Sequence, residues 1–297
     1  MRTLLVTGAA GFLAGEVARV ARARATRVVG VVRAPADLDG FDEVLVEDCA
    51  SPEMTRLVGH VRPDVVFHGA GSSSVAASYR SPASDFERSL MTWVRTLDAC
   101  RVNAPDAVVI FPSSAAVYGN PAHQPVAESA PIAPISPYGF HKAAAELLAR
   151  EYVELYGLSV VVARVFSTFG RRQRRLLVWE LAEQARRTGE VVVQGTGLEE
   201  RDYLAVEDLA RTLLALGDRR ARGPVNVASG QSILIREVAE AVVRGVGAGS
   251  IRYLGERRAG DPSVWRADVS RLASLAPIPH ADPRASIEAL VRVWTTD

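Results

Sequence analysis

The chain has 297 residues, with 35 basic and 34 acidic side chains for a formal net charge of +1, and 48% of it is hydrophobic. That balance gives no electrostatic reason to bind nucleic acid or an anionic membrane, and it argues against a disordered or coiled-coil chain. Cys49 and Cys100 cannot form a disulfide framework or a spaced metal site, no apolar run nears the ~20 residues of a membrane span, and the stretch before Gly8 is too short for a signal peptide. The expectation is therefore a soluble chain in a reducing, cytoplasmic setting.

At roughly 150 residues per domain, the length suits one large domain or two modest ones. Short β-branched runs at Leu4 to Thr7, Arg27 to Val32, Val44 to Val46, Val65 to His68, Val108 to Phe111 and Ser159 to Val165 read as buried strands. Ala-, Leu- and Arg-rich segments lie between most of them, with apolar residues such as Phe12, Val17 and Val20 at helical spacing. Strands alternating with helices imply βαβ units and a parallel sheet. After about residue 170 the pattern loosens into RRQRR, a helix near Leu176 to Arg187, a short strand Val191 to Val193, and a Gly- and Pro-punctuated tail ending in a last helix. Two interleaved lobes fit this better than two beads on a string.

The first strand runs straight into TGAAGFLAG and a helix. Gly8, Gly11 and Ala14 give small residues at a strand-to-helix turn, where the backbone can approach a pyrophosphate on the positive helix N-terminus. The second strand ends VVRAP, with Val32 where an acid for the ribose hydroxyls of NAD would fall and Arg33 after it. A guanidinium suits a ribose 2′-phosphate, so NADP(H) is favoured, with NAD(H) possible. Asp48, just past the third strand, is placed to accept from an adenine amino group or to be a plain surface acid.

Of the 35 basic residues one alone is Lys, Lys142. In a chain that uses Arg elsewhere, it marks a place where a compact, tunable ammonium is needed. Tyr138 lies four residues before it, one turn away on a helix, where the ammonium would lower the phenol pKa and make it a proton donor or acceptor. The fifth strand ends IFPSSAAVYGNP. Ser114 there can donate to a substrate oxygen, while Ser113 reads as turn chemistry.

These residues resemble the extended short-chain dehydrogenases, the NAD-dependent epimerase/dehydratase family. The resemblance spans TGAAGFLAG, RPDVVFHGAGSSSV, SSAAVYGNP, ESAPIAPISPYGFHKAAAE, GLEERDYLAVEDLA, PVNVASG and RRAGDPSVWRAD, in the family's order. It implies an α/β fold: a Rossmann doubly wound parallel sheet over 1–169 and a smaller C-terminal α/β lobe for a nucleotide sugar over 170–297, with 201–221 folding back onto the first. It further implies Ser114, Tyr138 and Lys142 as the catalytic triad. The cofactor would lie against Gly8, Ala10, Gly11, Phe12, Leu13, Arg33, Asp48, Cys49, Gly69, Ala70, Tyr138, Lys142 and Val165. The substrate would lie against Ser73, Ser114 and Ser167, its diphosphate clasped by Arg201 and Arg258. A homodimer is also implied, paired through helices near Asp85 to Cys100 and Tyr138 to Tyr156.

Several departures narrow the chemistry. Ala115 and Ala116 stand where family dehydratases and decarboxylases carry acids, and alanine moves no proton. Ser167 and Ser89 replace asparagines, and His141 replaces a small residue; it reads as solvated, with a proton relay as the alternative. What remains is redox at one sugar carbon. The sequence favours an NADPH-dependent ketoreductase at C4 of a nucleotide 4-keto-sugar, the alternative being a 4-epimerase that keeps its dinucleotide through a transient 4-keto intermediate. A non-catalytic dinucleotide sensor would not need the three catalytic residues.

Overall fold

Residues 2–256 and 263–296 are described by the computed structural model. The N-terminal part alternates strand and helix: β1 Thr3–Thr7, α1 Phe12–Arg22, β2 Arg27–Val32, β3 Glu43–Val46, α2 Met54–Val61, β4 Val65–His68, α3 Val75–Arg80, α4 Pro82–Phe86, a π-helical turn Glu87–Met91, α5 Thr92–Asn103, β5 Val108–Ser114, α6 Pro137–Tyr156 and β6 Ser159–Val165. The remainder comprises β7 Ser167–Phe169, α7 Leu177–Thr188, β8 Glu190–Val193, β9 Glu200–Ala205, α8 Val206–Asp218, β10 Pro224–Val227, β11 Ser232–Leu234, α9 Ile235–Val246, β12 Ser250–Tyr253, β13 Val264–Trp265, α10 Ser270–Leu275 and α11 Pro283–Thr296.

Seven strands form one parallel sheet in the order β3-β2-β1-β4-β5-β6-β10. The parallel sheet is the one expected from the alternating pattern, and its order is the doubly wound Rossmann arrangement that the resemblance implies. The strand order reverses direction between β1 and β4, and ligands bind outside the carboxyl ends of the strands at such a point. Side chains alternate across the sheet, so Leu4 and Val6 pack under α1 and α8 while Leu5 packs on the other face under α2, α5 and α6. Both faces are covered, which is why these strands read as unbroken apolar runs.

A smaller unit completes the chain. β9 pairs with β11, β13 and β7, and β8 with β12, under α7, α9 and α11. The chain returns to the large sheet with α8, which lies against α1, and with β10 beside β6; β9, which precedes α8, belongs to the small sheet.

The start of α6 fixes the register of everything that follows. Ser136 caps it by accepting from the Gly139 amide at 3.1 Å, and Pro137 occupies the first turn. A second exposed amide, that of Tyr138, donates to Ser78 Oγ at 3.1 Å. On its core side the helix receives Trp93, fully buried, whose indole N–H donates to the Ala145 carbonyl at 2.9 Å. Burial of a side chain that large contributes about 3 kcal/mol, and it locks α5 to α6.

Candidate active site

A cavity of about 1290 Å³ opens along the carboxyl ends of the large sheet. Its dinucleotide end is the turn from β1 into α1. Gly8 has φ +63°, and a Cβ there would lie 2.6 Å from the Gly69 carbonyl oxygen, so only glycine lets the two backbones meet. Gly11 caps α1 with no side-chain hydrogen bond, and the first turn holds no acid. The N-terminal amides of α1 therefore face the cavity with the helix's positive end uncompensated. Those residues fit a pyrophosphate. Gly8, Ala10, Gly11, Phe12, Leu13, Arg33, Asp48, Cys49, Gly69, Ala70 and Val165 all line this space. Cys49 is a buried free thiol, pushed by burial up to about 12. Asp48 Oδ1 accepts from the Ala50 amide at 2.9 Å.

The catalytic candidates line the same cavity: Ser114 at the end of β5, Tyr138 and Lys142 on α6, with Ser73 and Ser167 nearby. The Ser114 hydroxyl acts on the Tyr138 phenol, and Ser114 Oγ accepts from the Ala116 amide at 3.2 Å. The Lys142 ammonium donates to the Pro112 carbonyl at 2.8 Å and lies 4.7 Å from the Phe111 ring centre and 5.8 Å from that of Tyr138. Burial pulls Lys142 down to about 8, with Asp85 and Glu146 opposing. The expectation that the ammonium lowers the phenol pKa is corrected here. Burial pushes Tyr138 up to about 12, with Ser114 and Arg175 pulling it back, so it is a neutral phenol at pH 7. Desolvation dominates, and the Lys142 ammonium donates its hydrogen bond to the Pro112 carbonyl rather than to the phenol.

Other readings change as well. Ser113 is buried and donates to Glu146 Oε1 at 2.5 Å; Glu146 in turn is ion-paired with Arg164 at 2.7 Å. Ser113 thus belongs to a buried polar network, not to a turn. His141 is not a solvated side chain: it is 16% exposed and pairs with buried Asp85. Arg201 does not line the cavity; its guanidinium lies 5.3 Å from the ring centre of Trp265, which does. Arg258 lies outside the described residues. Ser89 Oγ accepts from the Ser72 amide at 3.3 Å, tying down the loop after β4.

Sequence reasoning passed over the arginines between β7 and α7. Arg172, Arg174 and Arg175 line the cavity; Arg172 reaches Asp39 at 3.2 Å and Arg175 reaches Ser73 Oγ at 2.6 Å, so two contacts cross its mouth. Leu176 beside them has φ +71°, a left-handed conformation costly for a side chain of that kind. The run RRQRR was visible, but nothing local told which of its members face a cleft.

The model of the NAD dependent epimerase/dehydratase family matches residues 4–228. The chain is 30% identical over 288 residues to a UDP-glucose 4-epimerase of Mycolicibacterium smegmatis, covering 91% of each. Among solved structures it is similar to the UDP-glucose 4-epimerase of Thermus thermophilus in complex with NAD, at TM-score 0.88 and 28% identity, with 97% of both chains covered. MoeE5 in complex with UDP-glucose and NAD gives TM-score 0.89 and 28% identity over 99% of this chain and 98% of that one.

Proposed function

Because the chain belongs to the NAD-dependent epimerase/dehydratase family and is an NAD(P)-dependent enzyme of nucleotide sugars, we propose that it is a UDP-hexose 4-epimerase that retains its dinucleotide. The observation that carries this reading is the meeting of Ser114, Tyr138 and Lys142 with the glycine turn in one cavity, with alanines at 115 and 116. Similarity to 4-epimerases and to NAD complexes supports it over the reductase that Arg33 alone favours. The contacts Arg172–Asp39 and Arg175–Ser73 across the mouth suit a cofactor that stays.

Gly8, Ala10, Gly11, Phe12 and Leu13 would hold the pyrophosphate, and Lys142 and Val165 would flank the nicotinamide ribose. A bound nicotinamide would supply the hydride acceptor and donor for C4. Ser114 orients the C4 oxygen. Once its own proton has passed to solvent, Tyr138 as the phenolate would accept the C4 hydroxyl proton as the C4–H bond breaks and give it back to the same oxygen when that bond re-forms on the opposite face. Proton and hydride both return, so no co-substrate is consumed. Lys142 would hold the nicotinamide ribose with its compact ammonium, while Ser114 and Arg175 pull the phenol back against the burial that opposes its ionisation.

The test is to incubate the purified enzyme with a panel of UDP-hexoses without added cofactor and to resolve C4 epimers while recording absorbance at 340 nm. Interconversion with no net change in absorbance is expected, with NAD released on denaturation. Stoichiometric NADPH consumption with 4-keto-sugars and no interconversion would overturn the epimerase in favour of the reductase. We propose in addition that the molecule is a homodimer: Phe140, Leu147, Leu155 and Tyr156 on α6 and Phe86 on α4 are exposed apolar side chains on the helices the family pairs. A monomer in sedimentation at micromolar concentration would refute that.

A further inference from the structure

The end of β5 is tied to α6 through a residue with no role in the chemistry above. Tyr138, Lys142 and Glu146 follow one another at four-residue intervals on α6, so they lie along one stripe of the helix. That stripe meets Pro112, Ser113 and Ser114, the last three residues of β5. The Lys142 ammonium donates to the Pro112 carbonyl at 2.8 Å, and Ser113 Oγ donates to Glu146 Oε1 at 2.5 Å. Tyr138 and Lys142 line the cavity with Ser113 and Ser114, whereas the Glu146 side chain is set back from it and only 11% exposed.

Glu146 can serve as an anchor because it is itself held. Arg164 lies opposite Ser113 across the β5–β6 ladder, so the two side chains stand on one face of the sheet. From there Arg164 Nε donates to Glu146 Oε1 at 3.1 Å and Nη2 to Oε2 at 2.7 Å. Nη1 is committed elsewhere, to the Tyr118 hydroxyl at 2.8 Å and the Glu128 carbonyl at 3.0 Å. Desolvation offsets much of the attraction in a buried ion pair, so the pair is weak evidence for stability. Its bidentate geometry nonetheless makes it a rigid point of attachment.

We infer that Ser113 is a positioning residue: locked onto the Glu146–Arg164 pair, it fixes the end of β5 against α6 and holds the Ser114 hydroxyl, one residue on, at a set reach from Tyr138 and Lys142. Backbone pairing holds that end weakly, for Ser114 and Val165 are the final pair of the ladder and the chain turns away at Ala115–Tyr118. The inference rests on the catalytic reading of Ser114, Tyr138 and Lys142.

Ser113→Ala cuts the tether and leaves the ion pair in place. On a UDP-hexose that the parent epimerises, kcat should fall about tenfold or more with KM within about twofold, the pattern of reacting groups held out of line rather than of weakened binding. Ser113→Thr keeps the donor and should recover most of kcat. Tyr118→Phe is the control for stability alone. It deletes another buried hydrogen bond of Arg164 but leaves that of Ser113, so it should unfold at lower temperature yet keep kcat within about twofold. If Ser113→Ala does not fold, Ser113→Cys, close in size and a weak donor, takes its place.

A second readout needs no substrate. Lys142 is the sole lysine, so lysine labelled with carbon-13 at Cε gives a single side-chain resonance. Its position reports the ammonium against the Phe111 ring, 4.7 Å away on β5. The resonance should shift and broaden in Ser113→Ala and stay at the parental position in Ser113→Thr and Tyr118→Phe. A folded Ser113→Ala or Ser113→Cys protein with parental kcat or an unmoved resonance overturns the inference, as does a Tyr118→Phe protein that loses kcat equally. A parent that epimerises nothing, with the resonance moving as expected, would instead count against the epimerase reading alone.

Discussion

At the dinucleotide end of the cavity the wall is largely backbone, from the glycine turn and the bare N-terminus of α1 to the loop at Gly69, all set by strands that are neighbours in one sheet. At the end we read as the sugar's it is side chains drawn from far apart in the chain: Ser73, Ser114, Tyr138, Lys142, and Arg175 from the segment before α7. A wall of backbone tolerates side-chain change but not a change in glycine. A wall of side chains can retune its substrate one residue at a time. The contrast teaches where chemistry and specificity reside in this molecule, and variants at either end can break it.

The largest effect is expected at the sugar end. Tyr138→Phe removes the proton carrier, and Lys142→Arg keeps the charge but replaces a compact ammonium with a planar, bulkier guanidinium in a space bounded by Phe111 and the Pro112 carbonyl. Each should reduce turnover by at least roughly 10²-fold. The double variant should lose little more, because the two act as a unit. The measurements are turnover on an established substrate and thermal unfolding as a folding control. A folded Lys142→Arg enzyme with more than about half its activity would remove lysine from the catalytic assignment.

The second prediction tests whether the dinucleotide end is as free of side-chain determinants as its glycines suggest. Arg33 is exposed on the cavity wall. If it reads a ribose 2′-phosphate, Arg33→Ala should weaken NADPH binding relative to NADH by about 1.5–3 kcal/mol, the loss of one charge-assisted contact. Titration with each dinucleotide measures it. Equal losses would mean that Arg33 does not read a 2′-phosphate, as the resemblance to NAD-bound enzymes favours.

The same contrast explains what the sequence could reveal. Strands β1, β2, β4 and β6 lie within a residue of their expected bounds, because each is buried on both faces and its apolar run is continuous. β5 runs on to Ser114, three residues past the apolar run, because its last residues gain their strand geometry from pairing with β6 rather than from their own composition. In the small sheet β7, β11 and β13 have three, three and two residues, too short for any period to show. The meeting of Ser114, Tyr138 and Lys142 in one cavity was legible because Tyr138 and Lys142 sit one helical turn apart and Ser114 ends a recognisable strand. Asp85 was not: it meets His141 across 56 positions, and no local pattern encodes that meeting.

The smallest effect concerns stability and separates the titrating groups of the two ends. Lys142 has its pKa lowered from 10.5 to about 8 in the folded chain. Between those values the unfolded chain holds a proton that the folded one has released, so this group makes stability rise with pH from about 8 towards 10.5. Two kinds of group act in the opposite direction. The thiols Cys49 and Cys100 are raised from 9.0 to about 12, and Tyr138 from 10.0 to about 12, so each lowers stability above its unfolded value. The raw profile therefore mixes both ends of the cavity above pH 9. The difference between the parent and Lys142→Met cancels the thiols and the phenol and leaves the lysine. That difference should be flat below pH 8 and then shift in favour of the parent by about 1–2 kcal/mol by pH 10, within the limit of about 1.4 kcal/mol per unit for one proton. Urea unfolding at intervals between pH 7 and 10 measures it. A flat difference throughout would mean that Lys142 keeps its ordinary pKa, and the sugar end would then owe its chemistry to position alone.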